Sequence, residues 1–166
     1  MRNFVFRKLK ATDLSLVRRW LEAPHVRAWW PDAEERISLM LEDMDDPRIN
    51  MMLVYLIDHP FAYIHDYDAR AYEQPQFSDL PTGARVMDSF VGDSDFMGQG
   101  HAAAYILARV RELRLRYPIV AVSPNTKDTH AISIYNQAGF MKRRLVPARS
   151  GRLVQAIFEG SGRAPQ

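Results

Sequence analysis

Apolar positions recur along this chain in two rhythms, and the changes of rhythm mark its elements. Residues 3–9, "NFVFRKL", are short and β-prone and predict an edge strand. Leu14, Val17 and Leu21 then fall at helical spacing, with Thr12 placed as the N-cap and Pro24 closing the segment. "HVRAWWPDAEERISLMLEDMDDP" predicts a helical pair broken at Pro31, where Asp32 and the glutamates after it suit a helix start. "INMMLVYLIDHPFAYIHDYD" holds two apolar or alternating runs separated by Asp58, His59 and Pro60, the pattern of a hairpin.

A polar, proline-containing stretch, "ARAYEQPQFSDLPTG", leads to "ARVMDSFVG", a predicted central strand. Residues 102–116 are helical by composition, "YPIVAVSP" is a short buried strand, and "DTHAISIYNQAGF" is a short helix with Gly139 as its C′ residue. "RLVQAIFE" closes the fold as a strand. This order predicts a mixed α/β domain with a largely antiparallel sheet, in which strand 84–92, the helix and strand 118–123 form a right-handed parallel crossover. One domain is expected over residues 1–160, with residues 161–166 as a flexible tail.

Composition narrows the chemistry. The 22 basic residues nearly balance 20 acidic ones, so the net charge of +2 gives no footprint for nucleic acid. The absence of cysteine removes disulfides, thiolate metal sites and a cysteine nucleophile, and fits a reducing compartment. "MRNFVFRKLK" is interrupted by charge every few residues, so neither a leader nor a membrane span is expected and the cytoplasm is the expected location. The five histidines show no metal-ligand spacing, and no metal is expected.

One stretch suggests an anion. In "MGQGHAAAYI" two glycines precede a small-residue helix, whose first N–H groups and positive dipole end suit a phosphate. Gly-x-Gly before a helix also makes ordinary turns, and this stretch is neither a P-loop nor a dinucleotide fingerprint. About thirty residues on, "AISIYNQAGF" joins a tyrosine-bearing helix to a Gly-Phe turn into a strand. Together the two segments resemble the GCN5-related N-acetyltransferase (GNAT) family. "WLEAPHVRAWW", "PFAYIHDYD", "GARVMDSFVGDSDFMGQGHAAAYI" and "SPNTKDTHAISIYNQAGF" follow the order and spacing of its aminoglycoside 6′-N-acetyltransferase-like branch.

The resemblance implies the GNAT fold, with its sheet splayed between the fourth and fifth strands, and an acetyl-CoA-dependent transfer to a primary amine of an aminoglycoside-like or other aminated small molecule. It implies coenzyme contacts at Phe90, Val91, Met97, Gly98, Gln99, Gly100, His101, Ala102, Ala103 and Asp128, and allows a homodimer formed through a terminal strand. Tyr135 is the expected proton donor to the departing thiolate, against the alternative of a core tyrosine. Asp88 is the expected holder and base of the amine, against a salt bridge with arginine. Strand alternation puts it on a face with Val86 and Phe90, where a carboxylate needs a partner.

Trp29, Trp30, Tyr63 and Asp66 are candidates to line the acceptor site. Met97 stands where the family often has Arg or Gln, Ser123 where the branch commonly has Asp, and Asp128 where many relatives have Asn. Other readings are an acyltransferase for a siderophore precursor or a peptide amine, and a coenzyme-binding module without turnover.

Overall fold

A computed structural model describes residues 2–149 and 151–159; of the expected 161–166 tail, all lies outside the described residues. The strands are β1 (Phe4–Lys8), β2 (Ile49–Leu56), β3 (His59–Asp68), β4 (Arg85–Val91), β5 (Val120–Val122), β6 (Phe140–Ala148) and β7 (Gly151–Phe158). The helices are α1 (Leu14–Glu22), α2 (Pro24–Arg27), α3 (Ala33–Asp43), α4 (His101–Arg114) and α5 (Thr129–Ala138). The strand order is β1-β2-β3-β4-β5-β7-β6. β1 is an edge and β4 is central, as the pattern predicts.

Among the described residues two compact units emerge from the packing, residues 2–66 with 89–101, and residues 67–88 with 102–149 and 151–159, so that β3 and β4 each carry residues of both. In the first unit β1 pairs antiparallel with β2 from Phe4 opposite Leu56 to Lys8 opposite Met52. α1 packs against α3, and Val17, Leu21, Leu53, Val54, Phe61 and Ile64 form a core that excludes water. Asp32 caps α3 by accepting from the Glu35 N–H at 3.1 Å, as its place before the glutamates suggests.

Two local expectations are corrected here. Thr12 caps nothing: residues Ala11–Asp13 form a 3-10 turn, and Asp13 accepts from the Lys10 N–H at 2.8 Å. α1 ends at Glu22, with Ala23 extended ahead of Pro24 as expected, and Pro24 also opens α2, where its missing N–H is an orphan in any first turn. The β2–β3 hairpin turns at Ile57 and Asp58, both at positive φ (49° and 60°), while His59 and Pro60 already belong to β3. A two-residue turn with both φ positive matches the twist of the strands, and here that geometry outweighs the strain on a β-branched residue.

In the second unit β4 and β5 pair in parallel, Arg85 with Val120 and Val86 with Ala121. β5 then ends at Val122 while β4 continues, which is the expected splay. The crossover between them is α4. The last strand, β7, pairs with β5 as well as with β6, so the closing "RLVQAIFE" lies inside the sheet and β6 takes the edge. Residues 69–83 are tied down by Gln155, whose amide donates to the Gln76 carbonyl at 2.7 Å and to Asp79 at 2.8 Å.

Candidate functional site

The second unit builds its polar pair from α5 and β4. Asp128 caps the helix by accepting from the Ala131 N–H at 3.1 Å, and Gly139 ends it at φ +104°. A Cβ on Gly139 would stand 2.9 Å from the Phe158 ring, so glycine is required both for conformation and for space. These two fixed ends set the rotation of the helix. Tyr135 is thereby buried, edge-on to Phe140, and its hydroxyl donates to Asp88 Oδ1 at 3.0 Å.

Burial pushes the Tyr135 phenol well above its usual range, and the negative charge of Asp88 adds to this, so Tyr135 keeps its proton across the neutral range. Asp88 itself is exposed, although the flanking Val86, Met87 and Phe90 are buried. The carboxylate therefore has the apolar surround that strand alternation predicts but is not enclosed by it. Tyr67, also buried, bonds Gln74 at 2.8 Å and is likewise held protonated, chiefly by burial. The Ser123 hydroxyl, just beyond β5, is buried without a partner in the structure.

The first unit carries the glycine loop. Gly98 and Gly100 sit at φ +72° and +76°, and a Cβ on Gly98 would meet nothing within 4 Å. The loop runs directly into the 14-residue helix α4, whose next positions, Ala102 and Ala103, are half-buried and small. Open space over achiral backbone, ahead of a helix dipole, fits a pyrophosphate. His101 is buried among Phe4, Phe61 and Phe96, and burial, helped by Arg2, lowers its pKa.

At the end of β4 the His25 imidazole bonds the Val91 carbonyl at 3.0 Å, and the Gly92 N–H bonds the Phe61 carbonyl at 2.8 Å. The backbone around Phe90 and Val91 is thus fixed from both sides. Sequence reading assigns His25 only an ordinary turn or surface role, because a side chain bonding to a carbonyl 66 residues away leaves no local signal.

Of the other acceptor candidates, Trp30 and Tyr63 join Phe90 and His65 in one aromatic cluster, with Trp30 edge-on to Phe90 at 5.0 Å. Trp29 is 42% exposed. Asp66 is 0% exposed and receives the Asn50 amide at 3.2 Å.

His65 gives a test of this cluster. Burial depresses its pKa from 6.5 to about 4, against the pull of Asp66. Between those values the unfolded chain binds a proton that the folded one refuses, so stability falls as pH falls through this window. Acidification from pH 6 to pH 5 is expected to lower the unfolding free energy by about 1 kcal/mol through this group. Urea titrations of the unaltered chain and His65→Gln check it: the slope should flatten in the variant.

Comparison with known proteins gives a consistent picture. Residues 10–147 match the acetyltransferase (GNAT) domain family. The aminoglycoside N(6′)-acetyltransferase type 1 of Klebsiella pneumoniae is 23% identical over 93% of this chain and 82% of its own length. An uncharacterized protein from Bacillus halodurans superposes with a TM-score of 0.83 at 15% identity, covering 94% of this chain and 83% of that one. AAC(6′)-Ib crystallised with ribostamycin and coenzyme A superposes with a TM-score of 0.81 at 20% identity, covering 93% and 92%. No helix among the described residues is long and apolar enough to cross a membrane. With its splayed strands, its glycine loop ahead of α4 and a family match across most of its length, the chain belongs to the GNAT acetyltransferases, enzymes that use acetyl-CoA as cosubstrate.

Proposed function

We propose that the protein transfers the acetyl group of acetyl-CoA directly to a primary amine of an aminoglycoside-like or other aminated small molecule. The observation that supports this most is the hydrogen bond from the Tyr135 hydroxyl to Asp88. Acetyl transfer to an amine needs a group that takes a proton from nitrogen and a group that holds one for the leaving sulfur. Asp88 is the exposed carboxylate of the pair and binds the acceptor's ammonium, which releases one proton to solvent; as the freed amine attacks the thioester, Asp88 takes the second. Tyr135 is the buried, protonated member and holds its proton at Oη. Once Asp88 is protonated its own O–H can donate to the Tyr135 oxygen, so the proton leaving the amine replaces the one the phenol gives up.

Met97, Gly98, Gln99, Gly100, His101, Ala102 and Ala103 would hold the coenzyme's pyrophosphate, and backbone N–H groups near Phe90 and Val91 the acetyl carbonyl. Trp29, Trp30 and Tyr63 would border the acceptor. Asp66 would act there only after giving up its enclosure, so the acceptor's charge falls mainly on Asp88. That favours an acceptor with one well-placed amine, and keeps a siderophore precursor or peptide amine as the second reading. Measuring coenzyme A release against aminoglycoside, polyamine, siderophore-precursor and peptide acceptors separates these.

Asp128 offers a milder test. Burial raises its carboxyl pKa despite the Ala131 N–H, and in this reading it lies near an anionic coenzyme. Asparagine caps a helix as well as aspartate does. Asp128→Asn is therefore expected to leave the melting temperature within a degree or two, as a change of about 0.5 kcal/mol or less would. Calorimetry should show coenzyme A bound a few-fold more tightly.

A further inference from the structure

Residues 97–103 contain no lysine or arginine, so the glycine loop carries no cation of its own for a doubly charged pyrophosphate. The first unit brings one from elsewhere in the sequence. Arg2 Nη2 donates to the Gln99 carbonyl at 2.8 Å, across 97 residues of chain. Its Nη1 lies 3.4 Å from the point where a Cβ on Gly100 would stand. The guanidinium therefore covers the bare backbone of Gly100.

The loop beneath it is held in one geometry. Gln99 donates through Nε2 to the Asp95 carbonyl at 2.7 Å, and its Oε1 lies 3.1 Å from His101 Nε2. With the Gln99 amide group donating to Asp95, the His101 bond is a donation from Nε2–H, which leaves Nδ1 as the bare nitrogen. That Nδ1 is buried and has no partner. No carboxylate among the described residues pairs with Arg2, and its bond to Gln99 occupies one of five N–H donors.

We propose that Arg2 is a coenzyme-binding residue: with one donor it clasps the loop at Gln99, and with the remaining fork, lying over Gly100, it contacts the pyrophosphate seated over the open backbone of Gly98. The proposal rests on the acetyltransferase reading of this loop. A planar guanidinium matches two phosphate oxygens at once, which an ammonium does not, and an exposed site tempers the gain.

Calorimetric titration of coenzyme A and of 3′-dephospho-coenzyme A, on chains tagged only at the C-terminus, tests it. Arg2→Ala is expected to weaken both ligands about tenfold, with the unliganded melting temperature nearly unchanged. Arg2→Lys should recover part of the loss. Arg2→Gln retains a donor for the Gln99 carbonyl but no charge, and should bind as weakly as the alanine variant. Wild-type affinity in Arg2→Ala, or full recovery in Arg2→Gln, would overturn the proposal, the second by reducing Arg2 to a clasp. A loss confined to coenzyme A and absent with the dephospho form would also overturn it, placing Arg2 on the 3′-phosphate. Failure of the unaltered chain to bind either ligand would instead remove the reading of the loop on which the proposal stands.

Discussion

Tyr135→Phe is expected to lower kcat for acetyl transfer by about 10²–10⁴-fold, the range typical for loss of a positioned general acid. The ring would keep its buried place edge-on to Phe140, so the fold and the coenzyme affinity should change little. What disappears is one oxygen and its hydrogen bond to Asp88. The pH profile adds a second reading of the same group. Burial and Asp88 hold the phenol above its ordinary range, so deprotonation of Tyr135 should contribute no alkaline limb to kcat below about pH 10. Stopped turnover in the presence of normal coenzyme A binding is the result that identifies a chemical role. A change in coenzyme affinity equal to the change in rate would mark Tyr135 as a packing residue.

The second large effect is expected at Asp88. Asparagine at this position still offers the Tyr135 hydroxyl a carbonyl oxygen, so the hydrogen bond that orients the phenol survives while the base and the negative charge are lost. Asp88→Asn should reduce kcat/KM for the acceptor by about 10²–10⁴-fold, with KM for the amine raised as well as kcat lowered. Steady-state kinetics with the acceptor varied at saturating acetyl-CoA measures both. Combined with Tyr135→Phe, the loss should fall well short of the product of the two single losses, because in this account the pair passes one proton between them.

The periodic parts of the molecule are readable from residues alone. Val17 and Leu21 at helical spacing are fully buried, β4 is central, and Gly139 ends α5 where a Gly-Phe pair says it should. Where local preference competes with longer-range geometry, the sequence misleads. Thr12 has the chemistry of a cap, but the Asp13 carboxylate takes the Lys10 N–H and a 3-10 turn forms in its place. The hairpin turns at Ile57–Asp58 because strand twist sets its conformation, although isoleucine is a poor residue at positive φ.

Side-chain exposure is harder still. Alternation places Asp88 among apolar neighbours without revealing that the carboxylate itself reaches solvent, and Asp66, on a strand that reads as half polar, is enclosed although the Asn50 that bonds it is exposed. Arg2 and His25 carry no local signal, since each bonds a backbone carbonyl far along the chain. Such contacts follow from tertiary placement, and no spacing encodes them.

The most direct test follows coenzyme A release from acetyl-CoA over an acceptor panel, with the unaltered chain, Tyr135→Phe and Asp88→Asn compared side by side and coenzyme affinity measured on each. Amine-dependent release by the unaltered chain is expected on at least one class of aminated small molecule, with both variants impaired about a hundredfold or more while still binding coenzyme A. Coenzyme binding with equal turnover in all three chains would contradict the role given to the Asp88–Tyr135 pair.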